Sequence, residues 1–250
     1  MRYTSENPLR LCLWSGPRNV STALMYAFAQ RDDTRVFDEP LYAHYLAVSG
    51  AQHPGREAVL ADQNRDGNKV VRRVVLGNHD KPVLFFKMMA HHLVQLDRSF
   101  LAETTNLFLI RDPREMLPSL AQQVEQPQLG DTGLAVQSKL IGQLHRLGED
   151  PPVLDAKELL LDPEGVLRAL CQRLEIDFQP NMLNWSKGGR PEDGVWAPHW
   201  YHNVHRSQGF KPYTPKEGAF PRELIPVLED CRPHYKYLRQ WIIRPQRQNS

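Results

Sequence analysis

Cysteine is scarce: Cys12, Cys171 and Cys231 stand far apart in a chain of 250 residues. An odd, dispersed set excludes the paired spacing of a disulfide framework. Cys12 lies in an apolar strand-like run and Cys171 in an apolar helical stretch, so both read as buried thiols. Long hydrophobic runs are absent, none approaching the ~20 residues that span a bilayer. The first eight residues lack the apolar core of a secretory signal, which makes a cytoplasmic location the default expectation. Neither sign of charge is in excess: 31 basic against 29 acidic side chains leave +2. The concentrated basic field of a nucleic-acid binder is therefore missing, and no nucleic-acid partner is expected. Internal repeats and low-complexity tracts are missing too. What remains is an ordinary globular composition, 41% apolar and 24% charged, long enough for one large core. A single domain over residues 1–250 is expected.

The chain alternates apolar runs with turn residues. Residues 9–14 read as a buried strand, and Ser15-Gly16-Pro17-Arg18-Asn19 as a loop punctuated by Gly and Pro. Residues 20–30 resume with Ala23, Leu24, Ala27 and Phe28 on one helical face. Further strands are expected at 35–37, 82–86, 106–110 and 152–155, with helices from Pro113, over 133–147 and over 163–174. Residues 52–61 are ambiguous, and 68–76 suit either helix or strand. Residues 184–221, rich in Gly, Pro, Trp and His, predict an ordered flap. Residues 222–250 predict a C-terminal helical extension, broken near Pro226 and Pro233 and frayed at its end. Strands alternating with helices imply a three-layer α/β/α fold around a mostly parallel sheet. Ligands of such sheets bind beyond the carboxyl ends of the strands, where Arg18, Glu39, Lys87 and Arg111 would gather.

The first loop has the means to bind phosphate. A helix starting near Ser21 exposes unpaired N–H groups whose dipoles favour an anion. Gly16 permits close backbone approach, Arg18 offers a planar fork, and Ser21 and Thr22 add hydroxyls. A plain helix cap at Ser21 and a turn shaped by Pro17 is the competing reading. Gly16 is followed by neither the second glycine nor the lysine of a Walker A loop, and the spaced glycines of a dinucleotide fold are absent. Arg111-Asp112-Pro113-Arg114, with Ser119 two turns on, forms a second constellation at a strand end. Spacing alone leaves open whether Arg111 meets a phosphate or pairs with a nearby acid.

Together these runs resemble the sulfotransferase family that uses 3′-phosphoadenosine 5′-phosphosulfate. Ser15-Gly16-Pro17-Arg18-Asn19-Val20-Ser21-Thr22 is similar to that family's 5′-phosphosulfate loop. Arg111-Asp112-Pro113-Arg114 with Ser119 is similar to its 3′-phosphate site. Residues 159–163, after Glu158, resemble its later acidic segment, although Ala156-Lys157 stands where a tyrosine is usual. The resemblance covers roughly residues 9–174. It implies a P-loop-like architecture, a metal-free donor site and transfer of a sulfuryl group to a hydroxyl or amine of a small-molecule acceptor. It also implies that Gly16, Pro17, Arg18, Asn19, Val20, Ser21 and Thr22 hold the 5′ end of the donor. Arg111 and Ser119 would hold its 3′-phosphate, and Lys187, Gly188, Gly189 and Arg190 would cover the nucleotide. The alternatives are a phosphotransferase of related fold, or a nucleotide-binding protein without catalysis.

Sulfuryl transfer asks for a base, cations at the bridging oxygen and exclusion of water. Glu39 is the first candidate base and His91 or His92 the second; Asp38 and Glu39 otherwise fix a loop. Where small-molecule members carry Lys-Thr-His, this chain has Lys87-Met88-Met89, and Lys87 is expected at the bridging oxygen. His199, His202 and His205 recur at threes, but Pro198 and the intervening rings favour packing or an acceptor pocket over a metal.

Overall fold

Short apolar runs closed by Gly, Pro or charge make short buried strands, each delivering its terminal side chain to one end of a sheet. The computed structural model describes residues 2–216 and 218–245. β1 (Leu9–Ser15), α1 (Ser21–Ala29) and β2 (Thr34–Asp38) come first. Next are α2 (Tyr42–Ser49), α3 (Arg56–Asp62) and α4 (Gly67–Val70), a wider π turn (Val71–Val75) and β3 (Val83–Met89). β4 (Thr105–Ile110), α5 (Pro113–Leu120), α6 (Leu129–Thr132), α7 (Leu134–Arg146) and β5 (Val153–Asp155) follow. The chain continues through α8 (Ala156–Leu161), α9 (Pro163–Arg173), α10 (Ala197–Trp200), α11 (His202–His205) and α12 (Ile225–Leu238).

The strands form one sheet in the order β2-β3-β1-β4-β5, with helices flanking it. β2 pairs with β3, and β4 with β5, in parallel. Every residue of β3 is buried, and every residue of β1 except Arg10, as a sheet covered on both faces requires. Residues 2–13, 21–106 and 179–210 form one compact unit; 14–20, 107–178, 211–216 and 218–245 form a second. In the first, Phe28 of α1 stacks on Phe85 of β3 with centroids 4.4 Å apart. A further cluster there joins Tyr42, Leu46, Val59, Leu60, Trp196 and Tyr201. In the second, α12 packs against α7 and α5.

Three readings need correction or completion. The terminal helix is unbroken from Ile225 to Leu238. Pro226 sits in its first turn, where a missing N–H costs nothing. Pro233 lies inside it, and burial of Val227, Leu228, Cys231 and Leu238 holds the helix through that defect. The ambiguous residues 52–61 contribute to α3, and 68–76 wind helically through α4 and the π turn despite their β-branched side chains. α2 was not anticipated. Glu217 of the flap and residues 246–250 of the C-terminal extension lie outside the described residues. All three cysteines are buried, free thiols. No described helix is long and apolar enough to cross a membrane.

Candidate functional site

The second unit holds the end of β1, the loop after it, and the Arg-Asp-Pro run after β4. That run is a helix start: Asp112 accepts from the N–H of Arg114 at 2.8 Å and Pro113 opens α5. Its cap leaves Arg111 directed at the first loop, where Nη1 donates to the carbonyl of Arg18 at 2.8 Å. Arg18 in turn donates through Nε to Ser119 Oγ at 2.9 Å. Two motifs more than ninety residues apart thus meet through named bonds. Asn19 donates to the carbonyl of Leu109 at 3.0 Å and accepts from the N–H of Val20 at 2.9 Å, anchoring the loop to β4. Buried Gln137 of α7 braces the same region by donating to the carbonyls of Trp14 and Leu109, at 2.8 and 3.0 Å.

Electrostatics in this unit favour an anion. Burial and the neighbouring Arg111 charge lower the pKa of Arg18, and Lys216 is lowered by burial and by Arg111 and Arg18. Glu115 lies 3.5 Å from Arg111 and accepts from the Tyr213 hydroxyl at 2.5 Å. Arg111 Nε is buried with no hydrogen-bond partner among the described residues. Arg18 adopts φ +54°, a left-handed backbone uncommon for a residue with a side chain. Gly16 is needed for a reason other than phosphate approach: a Cβ there would strike the carbonyl of Thr132. Pro17 and Val20 lie in the same loop, between β1 and α1.

The first unit holds a buried charge cluster built by strand register. β2 and β3 run parallel with Asp38 opposite Lys87. Glu39 follows with φ +39°, its N–H donating to the carbonyl of Lys87 at 2.9 Å. Lys87 Nζ donates to Asp38 Oδ1 at 2.9 Å, Glu39 Oε1 at 2.6 Å and Tyr201 Oη at 2.6 Å. Its side chain is 2% exposed, and its three hydrogens have three acceptors. Burial draws the ammonium pKa down, but Asp38 and Glu39 outweigh it and hold it well above its ordinary value. Burial pushes Glu39 above the usual carboxylate range; Lys87 opposes this and the Asp38 charge adds to it.

The other predicted residues occupy the same unit. Ser21 and Thr22 open α1, Ser21 buried. His91 and His92 form a 3-10 turn after β3. His92 stacks on Tyr42 and Tyr45, at 4.9 and 4.6 Å, and burial holds its pKa well below the ordinary value. His91 is half-buried, and burial pushes its pKa down to about 4. The Nδ1 atoms of both have no hydrogen-bond partner among the described residues. Lys187 is exposed; the N–H of Gly188 donates to the carbonyl of His205 at 2.9 Å, and Gly189 packs near His205 and Asp193. Arg190 pairs with Glu192 at 3.2 Å and lies over the Tyr26 ring.

Sequence reasoning missed Asp193, Gln137 and Lys216, and took Trp196 and Tyr201 as rings of a packed flap or an acceptor pocket. No spacing links the carboxylate, amide and ammonium of the first three to the motifs. Asp38 opposite Lys87 was accessible in principle, since each charge ends a short apolar run.

The model of the sulfotransferase domain matches residues 9–240. Two curated proteins of Arabidopsis thaliana are similar in sequence. Branched-chain-amino-acid aminotransferase-like protein 2 is 40% identical over 227 residues, which are 90% of this chain and 40% of that protein. Branched-chain-amino-acid aminotransferase-like protein 1 is 42% identical over 230 residues, 92% of this chain and 41% of that protein. The chain thus spans about two-fifths of the length of these relatives. Among solved structures, the sulfotransferase domain from the curacin biosynthetic pathway superposes with a TM-score of 0.57 at 15% identity. The match covers 90% of this chain and 98% of that one, and is a likeness of fold.

Proposed function

Since the chain belongs to the sulfotransferase domain family, we propose that it transfers a sulfuryl group from 3′-phosphoadenosine 5′-phosphosulfate to a hydroxyl or amine of a small-molecule acceptor. The observation that carries this reading is the meeting of Arg18, Arg111 and Ser119 through bonds of 2.8 and 2.9 Å. These are the residues that the family resemblance assigns to the two phosphate-bearing ends of the donor, and cations held this close favour a multiply charged anion. The reading treats residues 1–250 as one domain, with 184–221 as its flap and 222–250 as its C-terminal extension.

In this mechanism the loop N–H groups, Arg18, Asn19, Ser21 and Thr22 bind the 5′-phosphosulfate, and Arg111 and Ser119 bind the 3′-phosphate. Lys187, Gly188, Gly189 and Arg190 serve the nucleotide. Glu39 takes the proton of the acceptor as the acceptor's oxygen or nitrogen bonds to sulfur. The bond from sulfur to the bridging oxygen breaks, its electron pair stays on the phosphate, and Arg18 stabilises that charge. Lys87, expected from the sequence at the bridging oxygen, is assigned here to hold Glu39 in place, because its own hydrogens are engaged by Asp38, Glu39 and Tyr201. His91 and His92 serve as base only if Glu39 does not.

The test is to incubate the protein with the donor and a panel of hydroxyl and amine compounds, following sulfated product and 3′-phosphoadenosine 5′-phosphate by mass spectrometry. Equal amounts of both are expected, with Glu39→Gln lowering the rate by about a hundredfold. Phosphorylated product from magnesium-ATP would instead make the protein a phosphotransferase. Donor binding without turnover would make it a nucleotide-binding protein without catalysis.

A further inference from the structure

The buried cluster of the first unit holds two carboxylates and one ammonium, and is therefore one proton short of neutrality. Which carboxylate receives that proton is set by hydrogen bonding. Asp38 accepts from Lys87 at 2.9 Å, from the N–H of Gly194 at 3.1 Å, and from the Tyr201 hydroxyl at 2.7 Å. The Glu39 carboxylate accepts from Lys87 alone among the described residues, at 2.6 Å. Each donor stabilises the ionised form of the group it serves.

The Tyr201 hydroxyl has no choice of direction. Its oxygen accepts from Lys87 Nζ at 2.6 Å and from the Trp196 indole N–H at 3.0 Å, which occupies both lone pairs. The single hydrogen that remains points to Asp38. We propose that Tyr201 is a positioning residue for proton transfer: it binds Asp38 and Lys87 into one pair and so leaves Glu39 as the carboxylate that receives the acceptor's proton. The proposal rests on the reading of Glu39 as base, and adds the residue that selects Glu39 over its neighbour. Tyr201 and Gly194 both come from the segment predicted as a flap, more than one hundred and fifty residues after β2 in sequence.

Tyr42, Tyr26 and His92 face this cluster, and His205, paired with Asp193 at 2.9 Å, lies edge-on to the Tyr201 ring at 6.1 Å. Burial raises both tyrosines and lowers His92, so all three stay neutral while Glu39 titrates.

The experiment is carboxyl-13C NMR of the full chain, labelled at Asp and Glu and titrated towards acid. Glu39→Gln and Asp38→Asn assign the two signals by loss. Wild type is expected to show one complete step at Glu39. In Tyr201→Phe, which keeps the ring, the step divides, with Glu39 keeping about half its amplitude. A Glu39 step of full amplitude in Tyr201→Phe would overturn the proposal. Should that variant lose its fold, Asp38→Asn decides: the Glu39 midpoint falls once its like-charged neighbour is gone, and an unchanged midpoint overturns the proposal. Failure of the base reading is separately visible. Glu39→Gln would then consume donor at the wild-type rate although the titration still divides, which overturns the catalytic role of Glu39 and, with it, the role of Tyr201 in proton transfer.

Discussion

Lys87 shows how one buried charge organises its surroundings. A lysine 2% exposed is tolerable because two carboxylates and a phenol oxygen take its hydrogens. Replacing it with methionine keeps the volume and leaves two carboxylates buried without a counter-charge. Lys87→Met is expected to cost about 3–5 kcal/mol of stability, measured by urea unfolding. A loss within about 0.5 kcal/mol, typical of an uninvolved surface site, would show that the cluster does not need its cation. Glu39 and Arg18 were legible as site candidates because each follows a short apolar run. Their left-handed backbones, φ +39° and +54°, were not, since nothing in residue type requires that conformation of Glu or Arg.

Elements were readable where hydrophobic period and punctuation agreed. β1 and β4 lie within a residue of their expected places, although Arg10 interrupts the first run; β3 runs past Lys87 to Met89, three residues beyond its expected end. The terminal helix was misread because two prolines outweigh local periodicity in a sequence argument, whereas packing on α7 and α5 outweighs them in the fold. Connections between elements left no trace in sequence at all. Gln137 of α7 is 0% exposed and donates to the carbonyls of Trp14 and Leu109, tying the ends of β1 and β4 to one amide. Gln137→Leu removes one donor from each carbonyl, leaving Leu109 its bond from Asn19, and is expected to cost about 1–3 kcal/mol. Urea unfolding checks this, and an unchanged midpoint would mean that the brace contributes nothing.

At the scale of the whole molecule, stability carries a dependence on pH whose sign follows from burial. His91 is neutral when folded, its pKa pushed by burial from 6.5 to about 4. The unfolded chain binds the proton first, so the stability tied to neutral His91 is complete above 6.5 and lost as pH falls towards 4. His92, lowered in the same direction, adds to the effect. Urea midpoints are expected to fall across that window and to fall less in His91→Asn; an equal fall in the variant would assign the loss to other groups. The fold class was legible as a whole because strands and helices alternate along the chain. Of the candidate site, Arg18, Arg111 and Ser119 were legible from motifs, and Glu39 and Lys87 from their places at strand ends. The partners of Lys87 depend on strand register and on a segment whose rings and histidines suggested a flap or an acceptor pocket but not a contact with Lys87.

The central claim is that Arg18, Arg111 and Ser119 recognise a nucleotide bearing a 3′-phosphate. Calorimetric titration with 3′-phosphoadenosine 5′-phosphate, ADP and magnesium-ATP tests it most directly. Binding of the bisphosphate, with little affinity for ADP and loss of at least tenfold (about 1.4 kcal/mol) in Arg111→Ala, is the predicted result. Equal affinity for ADP, or a preference for magnesium-ATP that Arg111→Ala leaves intact, would contradict it.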